Sequence, residues 1–156
     1  MNQIRTPRYA LPLTAALLCL GGALRPVTAQ TPTPAPSLYQ RLGGYDALAA
    51  VTDDFIGRLV TDSSLTRFFG GHGKDSKGRI RQLVLDQLCA VTGGPCVYIG
   101  RDMKTTHAGL GITQANWDRA VQLLVATLDK FKVPQKEQQE VLAAVSTLKG
   151  DIVERP

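Results

Sequence analysis

The segment YIGRDMKTTHAGLGIT, Tyr98–Thr113, contains His107, one of only two histidines in the chain. Three of its residues are glycines, which readily adopt the left-handed backbone conformations of turns. Apolar residues recur at helical spacing both before and after the segment. Because a long glycine-rich connection inside a compact domain usually has a function, the role of His107 is central to what the fold is for.

The periodicity of apolar residues predicts helices on both sides of this segment. The predicted helical ranges are 37–44, 46–60, 76–92, 114–131 and 134–153. Thr113 is a predicted N-cap, and Pro134 is a predicted first helical position. Loops are predicted at 61–75 and 93–112, the second with one or two helical turns around His107. Since no strand pattern competes, the predicted fold is all-α, with two antiparallel helix pairs joined by the long loop.

Several chemical roles compete with that of an ordinary surface or core histidine. A zinc site would need both histidines and the two cysteines of the second half of the chain, whose spacing fits no ordinary zinc module. A nucleophilic site would need a serine or cysteine motif, which the neighbouring Thr105 and Thr106 do not form. The GGHGK segment is no phosphate loop, because Lys74 is followed by Asp75.

Haem binding asks for less than these sites. One imidazole can hold the iron, and His107 supplies it. The helices on either side supply an apolar slot, and Arg101 and Lys104 are close enough in sequence to meet the propionates. Haem binding is therefore the functional hypothesis for His107, and the alternative is an ordinary surface or core histidine.

Residues 1–29 have the pattern of a secretory signal peptide. Arg5 and Arg8 give a positive start, the range 11–24 is mainly apolar, and the small residues VTA end the segment. A membrane anchor is disfavoured because a spanning helix needs about 20 apolar residues. A lipoprotein signal is disfavoured because Cys19 does not follow a small residue. We expect export to the bacterial periplasm or medium, with no stable membrane insertion after cleavage.

A Pro/Thr-rich spacer at 30–36 is expected to be flexible, and 37–154 is long enough for one domain. Residues 1–29 hold three arginines and no acid, so their removal lowers the formal net charge from +5 to +2. No basic stripe interleaved with aromatics remains, which argues against nucleic-acid binding. Cys89 and Cys96 would be exposed to an oxidising compartment, where they form either a disulfide or two unpaired thiols.

The chain resembles a known family at several points. The matching runs are SLYQRLGG (37–44), DDF (53–55), RFF (67–69), GGPCVYIGRDMKTTHAGLGIT (93–113) and KVP (132–134), with a tryptophan-bearing helix before the last of them. Together they resemble the group 1 truncated haemoglobins over 37–154, most specifically at 100–113. The resemblance implies a two-over-two helical sandwich around non-covalent haem b, which agrees with the predicted helix pairs. No C-x-x-C-H motif for covalent attachment occurs.

The resemblance also implies roles for single residues. His107 matches the proximal ligand of the haem iron, Phe69 the phenylalanine stacked on the haem, and Trp117 an aromatic position of the proximal pocket. The other implied haem contacts are Tyr98 and Lys104 near the propionates, Met103 beside the proximal loop, Val141 and Val145 on the last helix, and Ile80 and Val84 on the distal helix.

The distal pocket implied by the resemblance is apolar. It consists of Phe55, Ile56, Ile80, Val84 and Leu88. Many members of the family carry a tyrosine at the position of Ile56 and a glutamine on the distal helix, which donate hydrogen bonds to dioxygen. Such a charge-assisted bond contributes about 1–3 kcal/mol, so its loss puts stable dioxygen storage in doubt. Gln87 is placed at the pocket rim by its register, and His72 is expected in a solvent-exposed loop or, alternatively, as a distal ligand.

The expected function is reversible binding of O2, CO or NO, in the oxygen-binding or oxygen-transport class, with no catalytic residues. One alternative is a haem redox enzyme, such as an NO dioxygenase, nitrite reductase or peroxidase, which would need an unidentified reductase. The other is an electron-transfer or sensing protein whose sixth iron position is closed by His72 or another ligand. The expected oligomeric state is a monomer or a weak dimer.

Overall fold

The computed structural model describes residues 34–71 and 73–155. The predicted signal peptide, most of the spacer and His72 lie outside these described residues. Within these described residues, seven α-helices follow one another: α1 (Leu38–Arg41), α2 (Gly44–Thr61), α3 (Lys74–Val91), α4 (Met103–His107), α5 (Gln114–Lys130), α6 (Gln135–Ser146) and α7 (Lys149–Ile152). A 3₁₀ turn, Thr66–Phe69, lies between α2 and α3. Within the described part of the chain, no helix is long and apolar enough to cross a membrane.

The two layers of the fold are formed by α2, α3, α5 and α6. Helix α2 packs against α3 and α5, and α6 packs against α3 and α5. One buried cluster joins Val51 of α2 to Leu124 and Leu128 of α5 and to Val141 of α6. A second cluster joins α2 to α3 through Leu48, Leu85 and Cys89. These contacts confirm the all-α fold with two helix pairs that the periodicity predicted.

The start of α5 agrees with its sequence pattern. The Thr113 hydroxyl accepts a hydrogen bond from the backbone N–H of Asn116, and the Asn116 side chain accepts from the backbone N–H of Thr113. This reciprocal box satisfies two donors that a helix start leaves unpaired. The predicted N-cap is therefore confirmed, and it fixes where the loop carrying His107 ends.

The last predicted helix, 134–153, is wrong in one respect, because the structure divides it into α6 and α7. The Ser146 hydroxyl donates to Leu142 O at 2.7 Å, and the Thr147 hydroxyl donates to Ala144 O at 2.7 Å. Hydroxyl side chains that bond nearby carbonyls compete with the regular helical ladder. The helix tightens where the Leu148 N–H donates to Val145 O, and α7 begins after this turn. Pro134 is the N-cap of α6 and not its first helical residue, so the helix begins one residue later than predicted.

The two cysteines of the domain lie side by side. Cys89 is fully buried near the end of α3, and its Cα atom lies 5.7 Å from that of Cys96 in the following loop. Their sulfur atoms are 2.02 Å apart. The pair thus joins α3 to the start of the loop that leads to His107.

Asp54 ties α2 to α5 by accepting hydrogen bonds from three side chains. The Arg58 guanidinium lies 2.6 Å and the Thr127 hydroxyl 3.0 Å from one carboxylate oxygen, while Lys130 bonds the other. Lys130 and Arg58 stabilise the ionised form and lower the pKa of Asp54 to about 2 from its ordinary 3.8. This stabilisation is present above the unfolded-state pKa and is lost as pH falls through the folded-state pKa.

We expect Asp54→Asn to lower the free energy of unfolding at neutral pH by about 1–2 kcal/mol, since the exposed lysine is screened by solvent. Between about pH 5 and pH 2 the wild-type value should fall towards that of the variant. Chemical denaturation across this pH range measures both. Asp53→Asn is the matched comparison, because Asp53 is bonded to Arg81 at the surface and its loss should cost less. A larger loss for Asp53→Asn would contradict the role given to Asp54.

Candidate functional site

A cavity of about 490 Å³ lies between the two helix layers. Its walls come from α2, the 3₁₀ turn, α3, the loop before α4, and all four later helices. All but five of the lining residues are apolar, the five being Gln87, Tyr98, Thr106, His107 and Asn116. Its volume lies within the range of about 300–1,000 Å³ that is usual for cofactor and ligand sites.

Apart from His107, three of the polar residues of the lining form hydrogen bonds with other parts of the chain. The Tyr98 hydroxyl donates to Arg101 O at 2.8 Å, and the Thr106 hydroxyl donates to the same carbonyl at 3.3 Å. The side chain of Asn116 belongs to the box that starts α5. A side chain at Gly100 would displace the Tyr98 ring, because a Cβ atom there would lie 2.3 Å from it. The cavity is consequently more apolar than its residue types suggest.

His107 is the last residue of the short helix α4, whose start is fixed by Asp102. The carboxylate of Asp102 accepts from the backbone N–H and the hydroxyl of Thr105, each at 2.8 Å. These bonds lower the pKa of Asp102. At the other end of the helix, Nδ1 of His107 lies 2.8 Å from Met103 O.

The carbonyl of Met103 can only accept a hydrogen bond, so Nδ1 of His107 must carry the proton. Nε2 then has the free lone pair that metal coordination requires. His107 is half-buried and lines the cavity. The donor chemistry and the apolar surroundings thus fit a haem iron held by a single imidazole.

The structure brings most of the predicted haem contacts to this one cavity. The residues of the lining that the sequence proposed for the haem are Phe69, Ile80, Val84, Tyr98, Met103, His107, Trp117 and Val145. They come from the 3₁₀ turn, four helices and the loop before α4, and Trp117 is also buried. The agreement among distant positions argues for one ligand site rather than for unrelated core residues.

Two of the predicted haem contacts lie elsewhere. Val141 is 3% exposed and belongs to the core cluster of α2, α5 and α6. It lies one helical turn before Val145 and packs in this core without lining the cavity. Lys104 is exposed and is not part of the lining, because it lies on the solvent side of α4. The ammonium group of Lys104 therefore lies in solvent.

The distal wall is apolar, as the sequence implied. Phe55 and Ile56 of α2 and Ile80, Val84 and Leu88 of α3 all line the cavity. The last three recur every fourth residue and therefore share one face of α3. Gln87 also lines the cavity. Gln82 instead donates to Tyr45 and Asp86.

Sequence reasoning missed part of the wall on the side of His107. Leu110 and Ile112 belong to it, but they lie in an irregular loop where no periodicity marks an inward face. Leu148 and Ile152 also belong to it, and their spacing of four residues was a usable signal of a shared helix face.

Comparisons with known proteins agree with this site. Residues 37–154 match the family model described as "Bacterial-like globin". The group 1 truncated hemoglobin GlbN of Mycolicibacterium paratuberculosis is 33% identical over 116 residues, covering 74% of this chain and 83% of that protein. The corresponding protein of Nostoc sp. is 30% identical over 119 residues, covering 76% and 98%.

Among solved structures, the 2/2 hemoglobin from Synechococcus sp. PCC 7002, in the cyanomet state with covalently attached heme, superposes with a TM-score of 0.70. It is 28% identical, with 77% of this chain and 100% of that chain covered. The likeness therefore extends over the whole helical domain. The chain belongs to the bacterial-like globin family, with the group 1 truncated haemoglobins as its relatives.

Proposed function

We propose that this protein is a haem globin that reversibly binds a diatomic gas, O2, CO or NO. The observation that carries the proposal is the 2.8 Å contact of His107 Nδ1 with Met103 O, which leaves Nε2 available as a ligand, together with the place of His107 in the lining of an apolar cavity of about 490 Å³. Haem would supply the iron atom to which the gas molecule binds. His107 would hold the iron, and Phe69, Met103 and Trp117 would pack on the macrocycle.

The lack of hydrogen-bond donors among Ile56, Ile80 and Val84 affects how strongly each gas would be bound. Ile56, Ile80 and Val84 have no hydrogen-bond donor for the polarised dioxygen molecule, whereas carbon monoxide depends less on such a donor. The same side chains offer water no hydrogen-bond partner in this part of the cavity. We therefore propose a site that releases dioxygen quickly and holds CO or NO comparatively well.

Haem titration of the full chain tests the proposal. The purified apoprotein should take up one equivalent of haem, and its reduced form should turn into a stable CO complex with a sharp Soret band. Uptake without saturation at one equivalent, or a reduced form that ignores CO, would contradict it. A six-coordinate reduced spectrum without added gas would instead support the electron-transfer alternative.

We further propose that the cofactor is haem b, held without a covalent bond. The chain has no C-x-x-C-H motif, and His107 is its only histidine apart from His72. Acidified organic solvent should therefore extract the haem completely, leaving protein of unchanged mass. Haem that stays with the protein, as expected for the Synechococcus hemoglobin with its covalently attached heme, would contradict this proposal.

The cellular setting is proposed from the N-terminal pattern. Residues 1–29 would be removed on export, leaving the spacer 30–36 and a domain at 37–154, with Cys89 and Cys96 oxidised to a disulfide. The mature protein would act as a monomer or weak dimer in the periplasm, where a reductase would be needed only for redox turnover. Intact mass of the protein from the periplasmic fraction tests this: the N-terminus should be Gln30, with two hydrogens fewer than the reduced chain.

A further inference from the structure

The C-terminal tail, Val153–Arg155, lies along the loop that follows His107. The backbone N–H groups of Glu154 and Arg155 both donate to Ile112 O, at 2.9 and 3.2 Å. Gln114 N–H donates in turn to Arg155 O at 3.1 Å. The tail therefore holds both the end of the loop and the start of α5.

The Glu154 side chain adds a second attachment, closer to His107. Its two carboxylate oxygens accept one hydrogen bond each, from the backbone N–H groups of Gly109 and Gly111. Both glycines have positive φ angles, 81° and 64°, which other residues rarely adopt. The two amides stabilise the ionised carboxylate and lower the pKa of Glu154. We name this arrangement, one carboxylate bonded to two loop amides, the Glu154 clamp.

The clamped loop is part of the cavity wall. Leu110 lies between the two bonded glycines and lines the cavity, as does Ile112. The Leu110 N–H also donates to His107 O at 3.2 Å. His107 and Gly109, one of the two bonded glycines, therefore belong to the same hydrogen-bonded turn. Loop and tail are both largely at the surface, where these bonds limit their movement.

We propose that Glu154 is a positioning residue for His107, fixing the loop that orients the imidazole and closes that side of the cavity. The inference rests on the proposed haem function, but the clamp itself can be tested without haem. Glutamine at 154 offers a single carbonyl acceptor and turns an N–H₂ group towards the other loop amide. Glu154→Gln should therefore break half of the clamp while it keeps the size of the side chain.

Amide hydrogen exchange of the full-length apoprotein is the first measurement, with Asp151→Asn as a matched control. Asp151 is an exposed carboxylate of α7, three residues before Glu154. Exchange at whichever of Gly109 and Gly111 loses its acceptor should be roughly three- to tenfold faster in Glu154→Gln, as expected for the loss of one ordinary hydrogen bond, and unchanged in the control. Equal helix content by circular dichroism would show that the variant is folded.

Two readouts of the haem-loaded protein then test the effect on His107. The iron–histidine stretching frequency of the reduced protein should shift or broaden, and haem transfer to excess apomyoglobin should be roughly three- to tenfold faster. Unchanged frequency and unchanged haem loss in a haem-loaded Glu154→Gln variant would overturn the inference alone. A wild-type chain that takes up no haem would overturn the proposed function, whatever the exchange rates show.

Discussion

Replacing His107 by alanine is expected to abolish specific haem binding. Among the described residues, His107 is the only histidine of the cavity lining, and its Nδ1 bond to Met103 O leaves Nε2 available as the ligand. Without that nitrogen, haem would be retained only by apolar contact, and the reduced protein should give no stable five-coordinate spectrum. Titration of His107→Ala with haem, followed by reduction and addition of CO, measures the loss.

Two further variants separate loss of the ligand from loss of the fold. His107→Gly supplied with free imidazole should regain a wild-type-like reduced spectrum, because the added base can occupy the vacated space. His72→Ala should leave the spectrum unchanged. An His107→Ala protein that keeps the wild-type spectrum would show that another group holds the iron.

Introducing a donor on the distal wall is expected to slow dioxygen release by roughly tenfold or more. Val84 lines the cavity on the inward face of α3, and glutamine there would bring an N–H₂ group to the bound gas. A charge-assisted hydrogen bond contributes about 1–3 kcal/mol, and about 1.4 kcal/mol changes a rate tenfold. Stopped-flow dissociation of dioxygen from Val84→Gln measures the effect.

Val84→Met is the matched control, since methionine has the length of glutamine without its donor. Its dioxygen release should stay within about threefold of the wild type, and CO release should respond less than dioxygen release in both variants. Equal effects of glutamine and methionine would mean that side-chain volume, not hydrogen bonding, sets the rate.

Local patterns predicted the helices and one wall of the site. Ile80, Val84 and Leu88 recur every fourth residue, so their shared face follows from the spacing alone, and Thr113 carried a recognisable helix start. The break after Ser146 was missed because the helical apolar pattern continues through it. The resemblance implied Val141 as a haem contact together with Val145, whereas the depth of the cavity along α6 depends on how α2 and α5 pack against it.

Contacts between distant parts of the chain were beyond such patterns. Glu154 is 45 residues from Gly109, and nothing in a polar C-terminal sequence marks a carboxylate that will bond two loop amides. The same holds for Leu110 and Ile112, whose inward direction is set by left-handed glycines on either side of Leu110 rather than by a helical or strand period.

The distribution of the cavity walls along the chain has a consequence for how the protein matures. Phe55 and Ile56 belong to α2, the first long helix, whereas Leu148 and Ile152 lie at α7, which is synthesised after the other helices described. Such non-local assembly is slow compared with the formation of single helices. The binding site is thus complete only once α7 has docked, and a nascent chain that lacks this helix offers the cofactor an incomplete cavity.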